Sequence, residues 1–124
     1  VVSAEIRLAD IVVDCADEGQ LCAFYEGLLG WKRGEMFGHP TLTSAAGVTL
    51  LFVQEEGYVS PVWPEEEGCQ QKQVHFDFFV PDVAEAVAKA EALGGRKADA
   101  QFGGEVFTTV LDPAGHPLCL VKAV

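Results

Sequence analysis

Four residues, Asp10, His75, Asp77 and Cys119, are the candidates in this chain for binding a metal or moving protons. His75 and Asp77 are separated by one residue, so on a strand both side chains project from the same face. An imidazole beside a carboxylate is an acid–base couple in waiting, with the aspartate orienting the ring. These two are the candidate catalytic residues. The same His-x-Asp spacing begins the facial triad of non-haem iron enzymes, which needs a second histidine. Only His39 and His116 remain, each before a proline in an apparent turn, so that triad is not expected. Cys15 and Cys119 have no neighbouring cation in the sequence to activate a thiolate. There is no G-x-S-x-G, P-loop or G-x-G-x-x-G, and Gly103-Gly104 reads as a plain turn.

The elements that must position these residues come from an internal repeat. Residues 10–30 read D-I-V-V-D-C-A-D-E-G-Q-L-C-A-F-Y-E-G-L-L-G, and residues 75–95 read H-F-D-F-F-V-P-D-V-A-E-A-V-A-K-A-E-A-L-G-G. At an offset of 65, Asp10 meets His75, Asp17 meets Asp82, Leu28 meets Leu93 and Gly30 meets Gly95. Each copy is a strand, an aspartate cap, a helix with apolar residues at helical spacing, and a glycine stop. Gly47–Val53 lies over Gly115–Val121 at an offset of 68, which implies a three-residue insertion in the second half.

Strands are expected over 5–15, 31–36, 40–46 and 48–55, then over 73–80, 96–102, 105–111 and 117–123. The predicted fold is α+β: two tandem βαβββ modules whose mixed sheets pair around a shared cleft. Module one covers 5–56, the connector 57–72 and module two 73–124, forming one domain over 1–124.

Hydrophobic residues make up 49% of the chain, enough for a core. A net charge of −11 argues against nucleic acid and anionic membranes as partners. No apolar run reaches the ~18 residues of a membrane span, and no signal peptide is visible. Four cysteines without C-x-x-C spacing read as reduced thiols, so a cytoplasmic protein is expected.

Four stretches carry a resemblance: A-D-I-V-V-D-C-A-D at 9–17, F-Y-E-G-L-L-G-W at 24–31, V-H-F-D-F-F-V-P-D at 74–82 and L-D-P-A-G-H-P-L-C-L at 111–120. Together they resemble the vicinal oxygen chelate superfamily of glyoxalases, extradiol dioxygenases and bleomycin-resistance proteins. The likeness is nearest to a glyoxalase-like subgroup with W-P in the connector and a G-H-P-x-C ending. In metal-using members the resemblance implies ligands on the first and last strand of each half, here Asp10, Leu51, His75 and Cys119. Only His75 is the expected type. Asp10 could ligate a divalent ion and Cys119 could bind zinc as a thiolate, but Leu51 has nothing to offer. No cofactor is therefore expected. A divalent metal at His75, Asp10 and Cys119 is the alternative.

If the strand phases hold, Asp10, Val12 and Asp14 face a cleft with His75, Asp77 and Phe79. Leu51, Val53, Cys119 and Val121 complete the lining, with Trp63 or Tyr58 lying over it. That lining is apolar on one side and anionic on the other, which suits a small and preferably cationic organic ligand. The expected function is small-molecule binding of the bleomycin-resistance kind. The alternative is a metal-dependent lyase, isomerase or dioxygenase with a modified site around His75. The resemblance also implies a homodimer.

Overall fold

A computed structural model describes residues 6–123. Residues 5 and 124, which bound the expected modules, lie outside the described residues. The first strand, β1 (Ile11–Cys15), buries Val13 and Cys15 and leaves Val12 and Asp14 exposed. Asp17 then caps α1 (Glu18–Leu29), its carboxylate accepting from the Gln20 backbone N–H at 3.0 Å. Gly30 stops that helix in the left-handed region, at φ 67°. The strands β2 (Lys32–Met36), β3 (His39–Thr43) and β4 (Thr49–Gln54) complete the module.

The second module repeats the pattern with β5 (Phe76–Val80), α2 (Val83–Ala92), β6 (Arg96–Lys97), β7 (Phe107–Leu111) and β8 (Pro117–Lys122). Asp82 caps α2 by accepting from Glu85 N–H at 3.0 Å. Each module forms one four-stranded mixed sheet, ordered β1-β4-β3-β2 and β5-β8-β7-β6. The first strand runs parallel to the last in both, and the other pairings are antiparallel.

Several strands are shorter than the sequence predicts, and β1 begins only at Ile11 within the expected 5–15. β5 starts at Phe76, paired with Leu118, rather than at residue 73. The next partner back would be Pro117, which has no N–H to extend the ladder. β6 ends at Lys97 rather than near 102. Beyond it, the Gln101 side chain donates to the carbonyls of Ala98 and Thr109 and accepts from Thr109 N–H, at 2.7–2.8 Å. A side-chain amide thus does the work of the missing strand backbone.

One hydrophobic core runs through both modules. It joins Leu21, Tyr25, Leu42 and Phe52 of the first to Val87, Val110, Leu118 and Leu120 of the second. Tyr25 sits at its centre, with Phe52 stacked at 5.8 Å and Phe76 edge-on at 6.1 Å. The helices touch on this side. The opposite faces of β1 and β5 carry Val12, Asp14, Asp77 and Phe79 toward solvent. No helix among the described residues is long and apolar enough to cross a membrane.

Candidate functional site: a cavity between the modules

A cavity of about 390 Å³ opens where β1, the connector and the approach to β5 meet. Val12, Asp14, Glu55 and Glu56 line it from the first module, Tyr58 and Lys72 from the two ends of the connector, and His75 from the start of the second module. His116 closes the end. Its volume is in the range of small-molecule sites. Apolar walls from Ile11, Val59, Val74 and Phe76 alternate with carboxylates, so the lining is mixed.

His116 holds the modules together at this point. Its Nε2 lies 2.6 Å from the Asp14 carbonyl oxygen, which can only accept, so Nε2 carries the proton. The same nitrogen is 3.3 Å from the Tyr58 hydroxyl, whose own proton goes to the Ala114 carbonyl at 2.7 Å. Behind the ring, Asp112 Oδ1 accepts the backbone N–H groups of Ala114 and His116 at 2.9 and 3.0 Å. Asp112 Oδ2 accepts from the Tyr25 hydroxyl at 2.6 Å, across the module boundary.

Burial dominates the acid–base behaviour of this network. It pushes the Asp112 carboxyl above the usual aspartate range, against the opposing pull of His116 and three donors. Burial and the Asp112 charge hold the Tyr25 phenol well above its ordinary value, and the Tyr58 phenol is raised for the same reasons.

From the sequence alone, His116 is expected in a turn away from the chemistry. The structure puts it on the cavity wall, because the Asp112 turn folds back toward β1. The D-P-A-G part was legible as a turn. Its bonds to Tyr25, Asp14 and Tyr58 were not, since they join positions 87, 102 and 58 residues apart. His39, also expected in a turn, begins β3, and its Nδ1 lies 2.9 Å from Glu18. Glu18 is held below the ordinary glutamate range, chiefly by the Gln54 backbone N–H and also by His39.

A second cluster sits on the exposed face of the second sheet. His75 Nε2 lies 3.5 Å from Asp77 Oδ1, longer than a good hydrogen bond. Asp77 is the register partner of Cys119 on β8. One ligand atom from each of His75, Asp77 and Cys119 lies within 4.8 Å of the others. Cys119 is buried, and its Sγ is 3.5 Å from Thr109 Oγ1. Burial raises its thiol pKa above the ordinary cysteine value.

The other predicted ligand-binding residues are spread out. Parallel pairing sets Val12 beside Leu51, Asp14 beside Val53 and Phe79 beside Val121. Of the nine residues expected to contact ligand, only Val12 and His75 line the cavity. Asp10 precedes β1 and is half-buried, and Leu51 is only 3% exposed. Phe79 borders a separate depression with Trp31. Trp63 donates to the Ala100 carbonyl at 3.3 Å and packs edge-on against Phe102, with the Lys72 ammonium over its ring. Of the four family metal positions, Leu51 has no donor atom, and Asp10 is outside the converging cluster. That four-position set does not fit a metal.

A family model of the glyoxalase-like domain matches residues 10–121. No curated protein matches the chain in sequence. Among solved structures, the chain is similar to a glyoxalase/bleomycin resistance protein/dioxygenase family enzyme from Burkholderia phytofirmans. That match has a TM-score of 0.69 at 17% identity, covering 94% of this chain and 98% of that one. It is also similar to the fosfomycin resistance protein FosX from Listeria monocytogenes, with a TM-score of 0.67 at 15% identity and coverage of 100% and 96%. A hypothetical protein from S. aureus gives 0.69 at 16% identity, covering 97% and 96%. At such identities these structures speak for the fold alone. With the repeat, the paired βαβββ modules and the family match over 112 of 124 residues (10 to 121 inclusive), the chain belongs to the glyoxalase-like domain family of the vicinal oxygen chelate superfamily.

Proposed function

We propose that this protein binds a small, cationic organic molecule in the cavity between its modules, with the family's four-position metal site degenerate. The observation that carries this reading is the cavity lining: apolar side chains interspersed with Asp14, Glu55 and Glu56, three carboxylates against the one ammonium of Lys72, in a chain of net charge −11. A hydrophobic body with a basic group matches both kinds of lining residue. The likeness to bleomycin- and fosfomycin-resistance proteins supports small-molecule capture as the kind of task. The reading includes a cytoplasmic location, which the four free cysteines support. It also includes a homodimer, supported by apolar side chains left open on the sheet faces, with Val12 52% and Phe79 72% exposed.

The test is equilibrium binding of matched organic amines and carboxylates, followed by tryptophan fluorescence and calorimetry at low and high salt. Amines should bind, and more weakly as salt rises. Asp14→Asn should weaken them about two- to fivefold, the ~0.5–1 kcal/mol of an exposed ion pair. Equal binding of the carboxylates, or no binding of either set, overturns the reading. Sedimentation equilibrium checks the dimer, which a monomer mass would rule out.

A second reading is a metal-dependent lyase, isomerase or dioxygenase built around His75, with His75 and Asp77 as its acid–base couple. One observation favours it, the convergence of His75, Asp77 and Cys119.

A further inference from the structure

We infer, on the basis of that organic-cation reading, that Glu65 and Trp63 set the charge preference of the cavity by holding the Lys72 ammonium away from its carboxylates. They are positioning residues, acting on the ligand through Lys72.

Asp14, Glu55 and Glu56 line the cavity together with Lys72, the one lysine in the lining, which holds no arginine. A lysine so placed could neutralise one of these carboxylates, since its ammonium is a point charge on a flexible four-carbon stem. It is engaged elsewhere. Its ion-pair partner is Glu65, and its Nζ lies 4.9 Å from the centre of the Trp63 ring. That is within the ~6 Å of a cation–π contact. Neither Glu65 nor Trp63 belongs to the cavity lining. In this arrangement the Lys72 side chain is only 22% exposed, low for a residue type that is mostly open to solvent.

The connector builds the holding site by folding back on itself. Val62 N–H donates to the Gln70 carbonyl at 2.9 Å, closing a loop that returns Lys72 to Trp63. The Trp63 indole N–H donates to the Ala100 carbonyl at 3.3 Å, and its ring packs edge-on against Phe102 at 5.8 Å. The ring is thereby fixed to the second module. The Lys72 hydrogen bond in turn holds the Glu65 carboxyl below the ordinary glutamate range, so the pair stays charged at neutral pH. With Glu65 neutralised, the ammonium loses its ion-pair partner and is free to meet a cavity carboxylate. There it takes the place that a ligand's basic group would occupy.

The experiment is calorimetric titration of the full-length protein in a double-mutant cycle. The probes are butylamine and benzylamine, with pentanoate and phenylacetate as their carboxylate counterparts. Glu65→Gln should weaken the amines about two- to fivefold, the scale of a competing exposed ion pair, and should strengthen the carboxylates. In a Lys72→Gln background the same substitution should shift neither. Trp63→Leu should act in the same direction, again only where Lys72 is present. A direct effect of the Glu65 charge, or a merely structural role, would appear in both backgrounds. Proton NMR reads the holding site itself. The Trp63 ring current should move the Lys72 ε-methylene resonance upfield in the wild type, and Glu65→Gln should return it toward the ordinary lysine position. Equal effects of Glu65→Gln in the two backgrounds, or an unshifted ε-methylene in the wild type, would overturn this inference and leave the organic-cation reading standing. Absence of amine binding by the wild type would overturn both.

Discussion

Tyr25 and Asp112 meet across the module boundary in a place where neither can reach water. The carboxylate has three donors, yet burial still raises its pKa above the ordinary aspartate range. A raised folded value means that the native state holds the proton to higher pH than the unfolded chain does. Stability is then greatest below the ordinary aspartate range and declines as pH rises through the raised value. Tyr25→Phe removes one donor and should cost about 1–3 kcal/mol for the buried acceptor left unpaired. It should also raise the Asp112 pKa further, so the loss should be larger at pH 7 than at pH 4. Urea unfolding at both values checks this, and an equal loss at the two would contradict it. Asp112→Asn is the complement. Its Oδ1 can keep both backbone donors, and the Tyr25 hydroxyl can rotate to accept from Nδ2. That variant should lose the downward slope with pH.

At the scale of elements, the repeat was readable down to single residues. Adding 65 to Ile11–Cys15 gives Phe76–Val80, and adding 68 to Thr49–Gln54 gives Pro117–Lys122, the observed strands. Even the parallel registers agree, with Ile11 opposite Leu50 and Phe76 opposite Leu118. This worked because aspartate caps, glycine stops and apolar alternation are local signals. Gln101 standing in for strand backbone was not legible, since a glutamine in a polar stretch carries no mark of its distant partner. Gly103 escaped for a related reason. It reads as turn punctuation, but a side chain there would run into the Phe107 backbone carbonyl and ring. Its neighbour Gly104 has φ 56° with open space around it. Gly104→Ala should therefore cost only the ~1–2 kcal/mol of a left-handed alanine. Gly103→Ala must displace the backbone entering β7, with the ~1–3 kcal/mol of overpacking plus lost pairing near Thr109. Thermal melts should rank Gly103→Ala as the worse of the two. The reverse order would mean that φ, not close approach, is what the first glycine serves.

For the whole molecule, the candidate site depends on contacts that no local pattern announces. His75 and Asp77 could be picked out because they share one strand face. The part played by His116 could not, because it exists only once module two lies against module one. The same contacts bear on how the chain unfolds. Tyr25 bonds Asp112, His116 bonds the Asp14 carbonyl, and the rings of Phe76 and Phe78 pack on Tyr25. Neither module closes its core alone, since the buried cluster takes side chains from both. Opening one sheet would expose the apolar surface of the other, at about 25 cal/mol per Å², so the two should unfold as one cooperative unit. Native-state hydrogen exchange tests this directly. Amides of the central pairings, Leu50–Phe52 in β4 and Leu118–Leu120 in β8, should exchange with one common opening free energy. Tyr25→Phe should lower both by the same amount, although Tyr25 belongs to the first module. A drop confined to β4, with β8 unchanged, would show two independently stable modules and would remove the structural basis for a cavity shared between them.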